Sequence, residues 1–123
     1  KTVGDAIVAV AGLSSHAISP VKSCVECSYK LREIANTSSM PWDLHLGIHS
    51  GSLVAGTVGT KTVQFDILGK TVNMAFNICD MSEANQILIS SDAWMTARNE
   101  IKVKSIGLKR LKSGQDIEML ECV

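Results

Sequence analysis

Apolar positions along the 123-residue chain change their period several times, and each change marks an element. Between Thr2 and Val10, two short β-like runs flank Gly4-Asp5, and that turn chemistry predicts a hairpin. Ser19-Pro20 supplies an N-cap followed by proline at the first helical position. Val21, Cys24, Val25, Ser28, Leu31 and Ile34 then recur at helical spacing, predicting an amphipathic helix that ends near Asn36. Beyond a loop to Trp42, DLHLGIHSG alternates Leu44, Leu46 and Ile48 against His45, Gly47 and His49, the period of a strand. SLVAGTVGT and VQFDILG add two short β-like pieces punctuated by glycine.

A second helix is expected from Lys70 or Thr71, with Val72, Ala75, Phe76 and Cys79 on its inner face and Asn73 and Asn77 one turn apart on another. ILISS reads as a strand and SDAWMTARN as a short helix capped by Ser91 or Asp92. Ile101 to Cys122 reads as a closing hairpin that turns near Ser113-Gly114. This order does not suit a doubly wound parallel sheet. It fits an α+β class, an α/β sandwich with helices on one face of a largely antiparallel sheet, as a single domain over residues 1–123.

Composition narrows the chemistry. Twelve basic residues balance twelve acidic ones, so no global field argues for nucleic acid or an anionic membrane. The few aromatic residues also argue against a base-stacking platform. The longest apolar stretch, Ala6 to Leu13, is too short to span a bilayer, so no direct membrane contact is expected of this segment. Among four cysteines, Cys24 and Cys27 form a CVEC motif. It falls within the predicted first helix without a second CxxC, so reduced cysteines of a cytosolic core are preferred over a metal or redox site. His45 and His49, four apart on a strand, lie about 13 Å from one another, too far to share a metal. His49 reads as structural support, and His16 carries no evident chemistry.

Three stretches remain: KTVGD at Lys1 to Asp5, LHLGIHSGSLVAGTVG at Leu44 to Gly59, and FDILGKTVN at Phe65 to Asn73. In this order and spacing they resemble the catalytic domain of class III nucleotide cyclases, the adenylate and guanylate cyclases. The resemblance implies a ferredoxin-like fold and a reaction in which the ribose 3′ hydroxyl attacks the α-phosphate of ATP or GTP. It also implies two Mg²⁺ or Mn²⁺ ions held by two aspartates. Asp5 matches the second aspartate, its other reading being a turn residue bonded locally. The family's first aspartate belongs to a strand ahead of KTVGD, with helices between. The chain carries neither, so it is expected to be inactive or nearly so by itself.

Within the resemblance, Lys1 and Asp66 occupy the base-selecting positions and form the adenine pair, where guanylate cyclases place Glu and a small residue. Asn73 matches the asparagine that orients the ribose, and Lys109 the lysine that contacts the terminal phosphates. Solvated or locally bonded side chains are the plain alternatives for Lys1, Asp66 and Lys109. Asn77 stands where the family has an arginine that stabilises the pentavalent phosphate, and a neutral amide cannot replace a charged bidentate donor. The implied protein is a cytoplasmic adenylate cyclase with a regulatory domain, working on ATP as a head-to-tail homodimer. Asp5 of one chain would then meet Lys1, Asp66, Asn73 and Lys109 of its partner. The alternatives are a non-catalytic cyclase homology domain for dimerisation or nucleotide sensing, a guanylate cyclase, and a generic ferredoxin-like binding module.

Overall fold

The computed structural model describes residues 1–14 and 19–123. His16 lies outside the described residues. The chain opens on a minimal hairpin, β1 (Thr2–Val3) against β2 (Ala6–Ile7). Gly4 takes a φ of 61° at the first central position of its turn, the left-handed conformation that suits a two-residue hairpin loop and that glycine reaches without strain.

Helix α1 (Pro20–Thr37) starts where Ser19 accepts from the Lys22 N–H and Pro20 presets the first turn. Its stripe against the sheet is Val21, Val25, Ser28 and Ala35. Leu31 and Ile34, expected on the inner face, are exposed instead. The reason is the helix's rotation: Cys24, Cys27 and Leu31 form a second stripe that faces a groove rather than the sheet.

Strand β3 (Leu46–Ile48) pairs in parallel with β6 (Ile87–Ser90), which pairs antiparallel with β8 (Asp116–Cys122), which pairs antiparallel with β7 (Val103–Arg110). Between them the chain makes a separate two-stranded ribbon, β4 (Val54–Val58) with β5 (Gln64–Leu68), and then α2 (Lys70–Met81). Helix α3 (Ser91–Thr96) follows β6 directly and is capped by Ser90, one residue before the expected cap, whose hydroxyl accepts from the Ala93 N–H. Among the described residues, no helix is long and apolar enough to cross a membrane.

The mixed α+β, mainly antiparallel architecture is the expected one, but helices cover both faces of the four-stranded sheet rather than one. Ile87 and Ile89 pack with Val21, Val25, Ala93, Leu120 and Cys122 on the α1 and α3 side. Leu88 and Met119, pointing the other way by strand alternation, pack with Ile78 of α2 and with Leu111. Strand β6, buried at every residue, is thus a central strand with two apolar faces. This also corrects the inner face of α2. Ile78, with Met74 and Met81 beside it, reaches the sheet core, while Ala75, Phe76 and Cys79 line the groove.

That groove has a volume of about 440 Å³ and lies between residues 6–11, α1, β3 and α2. On its far side from β6, β3 has no strand partner among the described residues, and residues 9–11 pair with no strand either. Two backbone edges therefore line one apolar trench.

Candidate functional site

The first hairpin and the β4–β5 ribbon belong to different sheets, yet their side chains meet. Lys1 Nζ lies 2.8 Å from Asp66 Oδ1, with 28% and 26% of the two side chains exposed. Lys1 Nζ also donates to the Ile67 carbonyl at 3.1 Å, and the Ile67 N–H donates to Asp66 Oδ1 at 2.8 Å. The lysine hydrogen bond first, then the Ile67 N–H, holds the Asp66 carboxyl below its ordinary range, so it stays ionised at neutral pH. One Lys1 N–H and the second Asp66 oxygen are left over, a free donor on one side chain and a free acceptor on the other.

Ribbon geometry adds the surroundings. The pairs Val54↔Leu68, Gly56↔Asp66 and Val58↔Gln64 place Asp66 on one ribbon face with Val54, Val58 and Leu68. All three apolar side chains are exposed. Ile67 points the opposite way and is the one buried residue of the ribbon.

The other residues singled out by sequence are placed as follows. Asp5 sits exposed at the tip of the same hairpin that carries Lys1. Asn73 is exposed in the first turn of α2, which starts four residues after Asp66, and Asn77 is half-buried one turn on. Lys109 lies exposed on β7, the sheet edge opposite β3. Among the described residues, no hydrogen bond or ion pair engages the side chains of Asp5, Asn73, Asn77 or Lys109, whereas Lys1 and Asp66 meet directly.

Asp5 offers a hard oxygen donor with neither oxygen engaged, chemistry that fits Mg²⁺ or Mn²⁺. No cluster of three or more His, Cys, Asp or Glu ligands occurs among the described residues. Cys24, Cys27, Cys79 and Cys122 are free thiols, and burial raises Cys24 and Cys79 and pushes Cys122 up to about 11.

The two histidines that flank β3 each make one hydrogen bond. His45 Nδ1 meets the Ser82 carbonyl at 2.8 Å and His49 Nδ1 meets the Ser90 hydroxyl at 2.7 Å, joining β3 to the end of α2 and to the cap of α3. Sequence reasoning missed Ile67, whose main chain touches both members of the Lys1–Asp66 pair. Its only signal was an apolar residue after Asp66 in a glycine-punctuated run. It also missed Thr71, whose hydroxyl donates to the Ser52 carbonyl and ties the start of α2 to the loop before β4.

Comparison with known proteins puts this geometry in context. The family model for the adenylate and guanylate cyclase catalytic domain matches residues 1–120. Soluble guanylate cyclase gcy-31 of Caenorhabditis elegans is 28% identical over 125 residues, an alignment that covers 97% of this chain and 17% of that protein. The guanylate cyclase domain of RhGC from Catenaria anguillulae, solved in complex with GTP, superposes with a TM-score of 0.84 at 19% identity, over 91% of this chain and 64% of that one. The adenylyl cyclase CyaB from P. aeruginosa superposes with a TM-score of 0.79 at 21% identity, over 93% and 64%. The chain therefore spans less than two thirds of these solved domains and about a sixth of the nematode protein. With nearly every residue inside the family match and the fold shared across both solved structures, this chain belongs to the adenylate and guanylate cyclase catalytic domain family.

Proposed function

We propose that the chain is part of a cytoplasmic catalytic domain that converts ATP to 3′,5′-cyclic AMP and pyrophosphate, working as a homodimer with a regulatory domain in the parent protein. The observation that carries the choice of ATP is the Lys1–Asp66 pair, held at 2.8 Å with one donor and one acceptor still free. Adenine presents a ring-nitrogen acceptor beside an amino donor, which the two groups can satisfy together. A base that left either one unpaired in a closed site would lose affinity.

In the reaction the 3′ oxygen attacks the α-phosphorus, the bond to the bridging oxygen of pyrophosphate breaks in line, and the hydroxyl proton passes to water. Lys1 and Asp66 hold the base, Asn73 orients the ribose, and Lys109 meets the terminal phosphates. Asp5 would hold a divalent metal ion, which when bound would supply charge neutralisation and a more acidic hydroxyl. A further carboxylate is needed, and the family resemblance assigns it to a strand ahead of Lys1. The trench between residues 6–11 and β3, with backbone edges on both sides, suits such a strand. The exposed apolar face around Asp66 suits a partner subunit that closes the site from outside.

A second reading, cyclisation of GTP, is favoured by the guanylate cyclases among the relatives. The Lys1–Asp66 pair opposes it, because guanine carries its carbonyl and ring N–H in the reverse order and, seated as adenine would be, sets donor against Lys1 and acceptor against Asp66. A third, a cyclase homology domain that binds without turnover, is favoured by Asn77.

The test is the intact parent protein with Mg²⁺ or Mn²⁺, given ATP and GTP separately, with the cyclic product identified by chromatography. Cyclic AMP is expected. Cyclic GMP instead would establish the second reading, and nucleotide binding with no product the third. Lys1→Glu combined with Asp66→Ser is expected to shift the ATP-to-GTP ratio of kcat/KM on the order of 10²-fold toward GTP.

A further inference from the structure

Lys1 and Asp66 come from two hairpins that share no strand pairing, so something must set their separation. The contacts converge on one peptide. The Ile67 N–H holds Asp66 Oδ1 and the Ile67 carbonyl holds Lys1 Nζ. The Ile67 side chain, 3% exposed, enters a small pocket of about 100 Å³ lined also by Val8, Ile48 and Val72. Val8 is itself bonded to Lys1, its N–H donating to the Lys1 carbonyl at 2.8 Å. Both hairpins therefore rest on the same apolar foundation, Lys1 through Val8 and Asp66 through Ile67.

Among the described residues, no other side chain of β4 or β5 is buried. Every residue of β4 is exposed, and in β5 only Asp66 and Ile67 are not. A ribbon anchored at one buried side chain moves with that side chain.

We propose that Ile67 is a positioning residue for base recognition: its buried side chain locks the peptide that spaces the Lys1 ammonium from the Asp66 carboxylate. The inference rests on the reading that this pair meets the purine. The Ile67 side chain acts through the two groups its peptide holds. Shortening it leaves room for the peptide to shift, and a shift of about 1 Å in a positioned group can cost on the order of 10²-fold in rate.

Two readouts separate the clamp from the base reading. In the intact protein, carbon-13 NMR of Asp66, assigned with Asp66→Asn, reports the carboxyl titration without any turnover. In Ile67→Ala the titration is expected to move up toward the ordinary aspartate range, and in Ile67→Val to move part of the way. Val72→Ala, in the same pocket but without a contact to the pair, is expected to leave it in place. In kinetics, Ile67→Ala is expected to lower the ATP-to-GTP ratio of kcat/KM at least tenfold, mainly through KM for ATP, with Ile67→Val restoring most of it. An unmoved Asp66 titration in folded Ile67→Ala overturns the proposal. If Ile67→Ala does not fold, an unmoved titration in Ile67→Val overturns it equally. A titration that moves while the nucleotide preference stays fixed overturns the role in recognition and locates the failure in the base reading, not in the clamp.

Discussion

Asn77 is half-buried on α2, one turn after Asn73, and its amide carries no charge to offer a phosphate. Placing a guanidinium there supplies the bidentate cation that the family resemblance calls for. Asn77→Arg in the parent is expected to raise kcat on the order of 10²-fold with little change in KM, read by cyclic nucleotide release. An unchanged rate would mean another cation already fills the role. His49 gives a prediction at the same scale for stability. Burial, opposed by the nearby Asp92, lowers its pKa below the ordinary histidine value, so the folded state prefers the neutral ring that faces the Ser90 hydroxyl. Because the unfolded chain takes up the proton first, this stability is fully present above the ordinary histidine pKa of about 6.5. It is lost as pH falls from there through the lowered folded value. Urea midpoints are expected to drop between pH 7.5 and pH 5, and His49→Gln to flatten the part of that drop due to this ring.

At the scale of elements, Gly47 sets how closely α2 approaches β3. A Cβ there would clash with the Cys79 backbone nitrogen and lie 2.9 Å from the Ala75 carbonyl oxygen, both main-chain atoms that cannot swing aside. Gly47→Ala is expected to cost roughly 1–3 kcal/mol, seen as a lowered Tm, because the helix must move outward. Losing the α3 cap in Ser90→Ala is expected to cost about 1 kcal/mol, and more if the His49 ring is left unpaired. Most element types and places were legible in the chain, since caps and periods are local signals: Ser19-Pro20 opened α1 and the alternation of LHLGI gave β3. Which stripe of each helix met the sheet was not legible. In α1 and α2 two apolar stripes lie side by side, and only the position of neighbouring elements decides that Val25 and Ile78 enter the core while Cys27 and Phe76 face the groove.

Across the whole molecule, the two sheet edges are built differently. Edge strand β7 carries Lys104, Lys109 and Arg110 and is interrupted between Ser105 and Gly107, features that discourage pairing with another chain. Edge strand β3, by contrast, carries Leu46, Gly47 and Ile48 beside an apolar trench. The ribbon has its own unmatched surface, with Val54 69% and Val58 45% exposed on the face of Asp66. If that face closes the site against a second subunit, Val58→Lys is expected to turn the parent from dimer to monomer in sedimentation and abolish cyclisation while its circular dichroism is unchanged. A dimer that persists would place the interface elsewhere.

The candidate site divides along the same line. The residue types at Lys1, Asp5, Asp66 and Asn73 stand in short motifs, and short motifs are readable because a turn or a helix start fixes its residues locally. The sequence by itself therefore determined the elements, the family resemblance and the residues worth watching. Only the tertiary structure decided that Lys1 and Asp66 share one ion pair, that the Ile67 peptide spaces them, and that helices cover both faces of the sheet. Periodicity records which way a side chain points within its own element. The meeting of two hairpins from distant parts of the chain depends on the packing of everything between them, here a shared pocket beneath Val8 and Ile67.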